Sequence, residues 1–332
     1  MAGCIPTNPI VSNPQVSSHE SSSFHIYFLD VGQADCAVIE SDGHYVLVDG
    51  GNKGDSSLLY SFVKKMNITN FDYIVASHVH EDHIGGIPGA LQYASANTTL
   101  CPTTSFDSNV FEDFKKYVDL NGGGITVPSV GDVYTFGNAS MTIVAVNSGE
   151  DLNDTSIIFR LDIEGLSALF TGDGEYKAEQ AALNSGISLK ADLLKVGHHG
   201  SDTSTSYLFL REVMPSIAVI SVGQDNIYGL PNQSTLDKLE DAEVTTYRTD
   251  LQGDITCTIE NGSFVCTTEK NTQETTTVPT DITYVINASS KKFHLPTCPS
   301  VNDINECNRI DTGLSREELI EKGYTPCKRC NP

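Results

Sequence analysis

Positive charge is scarce in this chain. Lysine and arginine together number 20 against 43 aspartates and glutamates, and the formal net charge is −23. That balance makes no broad basic groove for duplex DNA evident and argues against tight non-specific binding through phosphate neutralisation. A phosphate ester would have to find its positive charge locally, on metal ions. Long apolar runs are missing too. No stretch of about 18 consecutive apolar residues occurs, so no segment reads as a membrane-spanning helix. What remains is an ordinary globular composition. The 332 residues suffice for one large domain and a small one.

Against this background one stretch concentrates metal-ligating chemistry. It reads Ser77-His78-Val79-His80-Glu81-Asp82-His83-Ile84-Gly85-Gly86. The apolar run Tyr73-Ile74-Val75-Ala76 before it reads as a strand buried on both faces of its sheet. The histidines then fall on the loop at the strand's C-terminal end, where α/β sheets place their sites. Imidazole nitrogens with a carboxylate suit zinc, and can also hold manganese or iron. His78 and His80 alternate and can point into one pocket. Asp82 and His83 follow on the turn and can reach a second ion.

The rest of the large domain reads as alternating strands and helices. Strands are expected at 25–29, 36–40 and 45–48 as an antiparallel meander, and later at 142–146, 157–161, 168–171, 192–196 and 217–221. Asp55 is expected to cap a helix carrying Leu58, Leu59, Phe62, Val63 and Met66 at helical spacing. Further helices are expected at 90–93 and 110–118.

His-x-His-x-Asp-His after a strand resembles the metallo-β-lactamase superfamily, whose fold is a four-layer αββα sandwich. Further motifs narrow the resemblance. They are Leu29-Asp30-Val31-Gly32-Gln33-Ala34-Asp35, Val48-Asp49-Gly50-Gly51, Thr171-Gly172-Asp173, Leu194-Lys195-Val196-Gly197-His198-His199-Gly200-Ser201, Ser221-Val222-Gly223 and Asn226-x-Tyr228-Gly229. Their order is similar to the hydrolase domain of ComEC-type DNA-uptake (competence) proteins, over residues 24–268.

This resemblance implies a binuclear, extracytoplasmic metal-dependent hydrolase, a phosphodiesterase or nuclease. One ion, zinc or manganese, would use His78 and His80. The other would use Asp82, His83 and His199, with Asp173 bridging the two. Asp49 would orient the ligand histidines from behind. Asp82, Asp173 and His198 would act in catalysis, and Asn153, Ser156, Ser201 and Tyr228 would contact substrate. A turn role for Asn153 and Ser156 remains equally open. Two departures stand out. Leu230 occupies a place where the branch carries histidine, which removes a potential proton donor or phosphate contact. Ala34 replaces a glycine. The alternatives are a choline-phosphate esterase, a lactamase-like hydrolase, or a surface binding protein with weakened catalysis.

Both ends carry their own signals. Met1-Ala2-Gly3-Cys4 resembles the end of a bacterial lipoprotein signal, which makes Cys4 a candidate membrane anchor for a cell-surface protein. Residues 1–23 read as a flexible tether. Residues 269–281 read as a Thr-rich linker. Beyond it, residues 282–332 hold His294, Cys298, Cys327 and Cys330 at tetrahedral zinc spacing. About fifty residues bury little core, so a structural zinc is physically motivated. The segment resembles the Ada-type zinc-binding domain. Ser315 is expected to cap its helix, and disulfides among these cysteines compete with zinc. Cys307 is left over. Cys257 and Cys266 flank an Asn261-Gly262 turn and face each other, either as a cross-strand disulfide or as two small buried thiols.

Overall fold

The computed structural model describes residues 23–270, 284–296, 298–301, 304–305, 308–312, 314 and 316–330. The described residues fall into two compact units, one on either side of residues 271–283. In the first, two mixed sheets face each other. One has eight strands in the order Ser263–Thr268, Ile255–Glu260, Phe24–Phe28, Ala37–Ser41, His44–Val48, Asn70–Val75, Ser95–Leu100 and Ile125–Thr126. The other has seven: Thr245–Arg248, Ile217–Ile220, Leu193–Lys195, Leu166–Phe170, Ile158–Ile163, Ala139–Ala145 and Val133–Phe136.

Three apolar clusters explain the layers. The inner faces of both sheets meet over Phe28, Ile39, Val46, Met141, Phe159 and Phe170. A second cluster lies under the helices Ser56–Lys65, Ile87–Leu91 and Asn109–Asn121 on the outer face of the first sheet. A third lies under Tyr176–Asn184, Tyr207–Val213 and Gln233–Asp241 on the second. The result is the four-layer αββα sandwich. Strands in its middle are buried on both faces, which is why they read as continuous apolar runs.

Local chemistry sets the helix ends. Ser108 caps Asn109–Asn121, its hydroxyl accepting the Phe111 N–H at 3.1 Å. Phe111, Phe114 and Val118 form the buried stripe of this helix, which is longer than the 110–118 expected. The short helix expected at 90–93 instead spans Ile87–Leu91, with Pro88 in its first turn. Asp55 stands at the N-cap of the first helix, but its side chain makes no capping bond there. Its carboxylate reaches back 2.8 Å to the Asn52 N–H and closes the preceding turn. Leu58, expected on the buried stripe, is exposed, while Leu59 and Val63 are buried.

Cys257 and Cys266 pair across the last hairpin and form a disulfide. Asn261 and Gly262 at its tip both have positive φ, as the tight two-residue turn requires. Thr267 and Thr268 end the hairpin strand. Glu269 and Lys270, taken from sequence as linker, donate backbone bonds to Asp254 and Gln252.

The second unit builds a four-stranded sheet in the order Arg309–Thr312, Tyr284–Asn287, Lys292–His294 and Thr325–Pro326. Helix Arg316–Glu321 buries Leu319 against Tyr284, Ile286 and Phe293. Cys4, Cys307, Ser315 and residues 271–283 lie outside the described residues. No helix among the described residues is long and apolar enough to cross a membrane.

Candidate metal centres

The first sheet delivers four side chains. Its buried strand Asn70–Val75 leads through Ala76 into Ser77 and His78, and the turn Glu81–Ile84 carries Asp82 and His83. Behind them, Asp49 sits in the left-handed region at φ 55°. Backbone strain of this kind persists where the surroundings over-determine it. The Asp49 carboxylate accepts the Ser77 N–H at 2.7 Å and the Ser77 hydroxyl at 2.8 Å. It also lies 2.9 Å from His83 Nδ1. A carboxylate on Nδ1 keeps the proton there and leaves Nε2 for the cluster. Asp49 therefore sits where the sequence expected an orienting carboxylate.

The second sheet delivers the rest. Strand Leu166–Phe170 leads to Gly172 and Asp173. Gly172 has φ +51°, and a Cβ there would stand 2.8 Å from Ser77 Cβ. Only glycine lets the two loops approach this closely. Asp173 Oδ2 is the hub of the site. It lies 3.3 Å from His83 Nε2, 3.7 Å from His199 Nε2, 3.9 Å from His198 Nε2 and 4.0 Å from His78 Nε2.

His198 and His199 both have positive φ, at 49° and 51°. This sharp turn splays their rings. His199 is buried. Its Nδ1 donates to the Ser221 carbonyl at 2.9 Å, and its Nε2 stands 3.3 Å from Asp82 Oδ2. His198 is partly exposed. Its Nδ1 lies 3.1 Å from Glu175 and 3.2 Å from the Thr203 hydroxyl. The structure thus gathers Asp82, His83, Asp173 and His199, with ligand atoms within 4.8 Å of one another. Beside them, His78 Nε2 and His80 Nδ1 approach to 2.9 Å.

These residues fit divalent metal ions. His83 Nε2 and Asp173 Oδ1 are buried with no hydrogen-bond partner, which is costly unless something else satisfies them. The charge pattern agrees. Burial, helped by the charge on His83, holds His78 well below its ordinary pKa and keeps it neutral. Burial opposes ionisation of Asp173, but His83 and His199 outweigh it and hold that carboxyl well below the usual range. Burial likewise opposes charge on His199, yet Asp173 and Asp35 push it up to about 10. His83 rises well above its ordinary value for similar reasons, through Asp173 and Asp49. Protons therefore stand in for cations among these carboxylates.

The expected substrate contacts fare differently. Tyr228 is exposed. Ser156 has no exposed surface, and its hydroxyl accepts the Asp173 N–H at 3.2 Å. It holds the Asp173 backbone from within the fold. Asn153 is buried and donates to Glu175 at 3.2 Å. Ser201 is buried and bonds the Thr203 hydroxyl at 2.9 Å, inside the turn that carries His198. Both side chains bond to groups that neighbour His198, Asn153 to Glu175 and Ser201 to Thr203. Glu175 and Ser77 were missed as positioning groups. Glu175 stands two residues after Asp173, but nothing in that spacing signals its partners.

In the second unit, His294, Cys298, Cys327 and Cys330 bring one ligand atom each within 4.8 Å of the others. His294 Nδ1 is buried without a hydrogen-bond partner, and burial holds this imidazole below its ordinary pKa. Burial raises the Cys327 thiol, but the backbone N–H groups of Arg329 and Cys330 outweigh it and lower its pKa. Three sulfurs and an imidazole suit tetrahedral zinc. The only disulfide among the described residues joins Cys257 to Cys266.

Comparison with known proteins agrees with this geometry. Residues 29–224 match the model of the metallo-beta-lactamase superfamily. The chain is 27% identical to ComE operon protein 3 of Bacillus subtilis, over 71% of this chain and 33% of that protein. It is 30% identical to Recombination protein 2 of Haemophilus influenzae, over 68% of this chain and 28% of that protein. It is 36% identical to Competence protein ComA of Neisseria gonorrhoeae, over 31% of this chain and 15% of that protein. The chain thus spans a third or less of the length of these curated relatives.

Proposed function

The chain belongs to the metallo-beta-lactamase superfamily, and from that premise we propose that it is a binuclear, metal-dependent phosphoric ester hydrolase acting on nucleic acid outside the cytoplasm. One observation carries the reading: Asp173 Oδ2 lies within 4.0 Å of imidazole nitrogens on His78, His83, His198 and His199. A single carboxylate oxygen central to four imidazoles from two sheets supports a reading in which these residues would together hold two ions. His78 and His80 would hold one ion, and Asp82, His83 and His199 the other.

Two zinc or manganese ions, when bound, supply Lewis acidity and positive charge toward the phosphoryl oxygens. The protein's own groups do the rest. Asp49 and the Ser221 carbonyl keep protons on the far nitrogens of His83 and His199. Ser156 fixes the Asp173 backbone. Glu175 and Thr203 hold the His198 ring at the open side, where it can contact a substrate oxygen. Tyr228 offers an exposed aromatic face to substrate.

The two curated relatives named for competence and recombination support nucleic acid as the substrate class. The net charge of −23 argues for short or single-stranded substrates over long duplexes. In the second unit the Cys/His cluster would hold one structural zinc, as in Ada-type domains. A surface location, with Cys4 as lipid anchor, completes the proposal.

The test pairs metal analysis with a substrate screen. About three ions per chain are expected, two of them exchangeable, with turnover of phosphodiesters and single-stranded DNA. One tightly held ion per chain, or turnover confined to carboxyl esters and lactams, refutes the reading.

A further inference from the structure

The two halves of the proposed second-ion site come from different sheets. Asp82 and His83 follow the strand Asn70–Val75 of the eight-stranded sheet, and His199 follows Leu193–Lys195 of the seven-stranded sheet. Their separation therefore depends on how the sheets are held beneath the site.

One residue touches both halves. The Asp35 N–H donates to the Asp82 carbonyl at 3.1 Å, and its carbonyl accepts the Gly51 N–H at 2.8 Å. Its carboxylate turns the other way. Oδ2 lies 2.7 Å from Lys195 Nζ, and Oδ1 lies 3.3 Å from His199 Nδ1. Lys195 Nζ also donates to the Val196 carbonyl at 3.0 Å, in the backbone leading to His199. The His199 ring is thus held between the Ser221 carbonyl and Asp35. Both members of the ion pair are 5% exposed. Asp35 Oδ1 makes no hydrogen bond of good geometry. A small cavity lined by Asp35, Asp49, Ser77 and Lys195 adjoins it.

A buried ion pair is weak evidence for stability. Desolvation offsets its attraction, and apolar residues of similar size commonly serve as well. This pair lies directly behind a ligand imidazole and bonds the backbone of a second ligand. We propose that Asp35 and Lys195 are a positioning pair, a latch between the sheets that fixes His199 against Asp82 and His83 and so sets the affinity for the second ion. The proposal rests on the two-ion reading above.

The experiment uses the full chain carrying Asp35→Asn, Lys195→Met, and both together. The double variant leaves no unpaired buried charge, so it guards against simple misfolding. Zinc affinity is read by competition with a chromogenic chelator, with the Cys/His cluster as internal reference. Thermal unfolding of metal-stripped protein reports the fold separately. All three variants should bind one large-domain ion about 10- to 100-fold more weakly, the range typical of groups that orient ligands. The Cys/His zinc should be unchanged, and kcat should fall with little change in KM. A double variant with wild-type zinc affinity overturns the latch. So does weakened binding that merely tracks the unfolded fraction. If the wild type holds only one large-domain ion, the two-ion reading fails, and the shift or constancy of that ion's affinity still decides the latch.

Discussion

The two candidate metal centres contrast in how their ligands are gathered. In the sandwich, ligands come from residues 78–83, 173 and 199, on two sheets, and half of the tight cluster is carboxylate. In the C-terminal unit, four ligands lie within residues 294–330 and three are thiols. The sandwich has three extensive apolar clusters of its own. The small unit packs its thiols directly into one of two minor clusters, with Val285, Cys298, Val301 and Cys327 side by side. Mixed imidazole and carboxylate ligation on a preformed scaffold suits exchangeable ions that act on substrate. Thiol-rich ligation inside a thin core suits an ion that holds the fold.

Breaking the small centre should have the largest effect. Cys327→Ser should remove most of a metal contribution on the order of 10 kcal/mol and unfold residues 284–330. Hydrogen exchange should show protection lost there and kept across residues 24–268. Loss in both regions together would abolish the contrast. Asp173→Ala comes next. Without the shared oxygen, turnover should fall by about 10³-fold or more, roughly 4 kcal/mol of transition-state stabilisation. The Cys/His zinc should remain, as metal analysis would show.

The adjacent histidines sharpen the contrast within the large site. His199→Ala should release about one ion per chain. His198→Ala should keep both ions and lower kcat by about 10²-fold. Metal loss in His198→Ala with retention in His199→Ala would reverse the assignment.

Without metal, the large site should respond to pH. Folding raises the His199 pKa from 6.5 to about 10. A raised pKa contributes stability that is full below pH 6.5 and is lost as pH climbs through about 10. Metal-stripped protein should therefore lose several degrees of Tm across that window, and metal-loaded protein should not. A flat Tm in the stripped protein would show that the carboxylates do not hold that proton.

The smallest effect concerns delivery of substrate. Lys291, Lys292, Lys328 and Arg329 are exposed basic residues of the C-terminal unit in an acidic chain. Removing residues 282–332 should raise KM for single-stranded DNA severalfold at low salt and leave a small phosphodiester unaffected. Equal KM values would confine that unit to a structural or cell-wall role.

Much of this was legible in the chain because it is local. His78, His80, Asp82 and His83 sit within one turn, so their spacing alone announces a site. The Cys257–Cys266 hairpin is similarly local, since the Asn261-Gly262 turn fixes its register, although register alone left thiol and disulfide open. Asp173 and His199 are single residues at strand ends far along the chain, and only the ordered run of motifs pointed to them. Ser156 stayed open between two roles because a serine in a turn motif reads the same whether it faces substrate or bonds a buried backbone N–H, as its hydroxyl does with Asp173.

The sequence by itself determined most of the central strands and the first outer helix (but not the three helices over the second sheet), the layer order through its family resemblance, and the candidate ligand types at each centre. These follow from periodicity, turn chemistry and residue identity, which are properties of neighbours along the chain. Tertiary structure alone decided which groups stand behind the ligands. Asp35 meets Lys195 and His199 across some 160 positions of sequence, at 2.7 and 3.3 Å. Glu175 meets His198 at 3.1 Å. Such pairs form where two sheets stack, and their distances depend on the packing of the core between them, which no local pattern encodes.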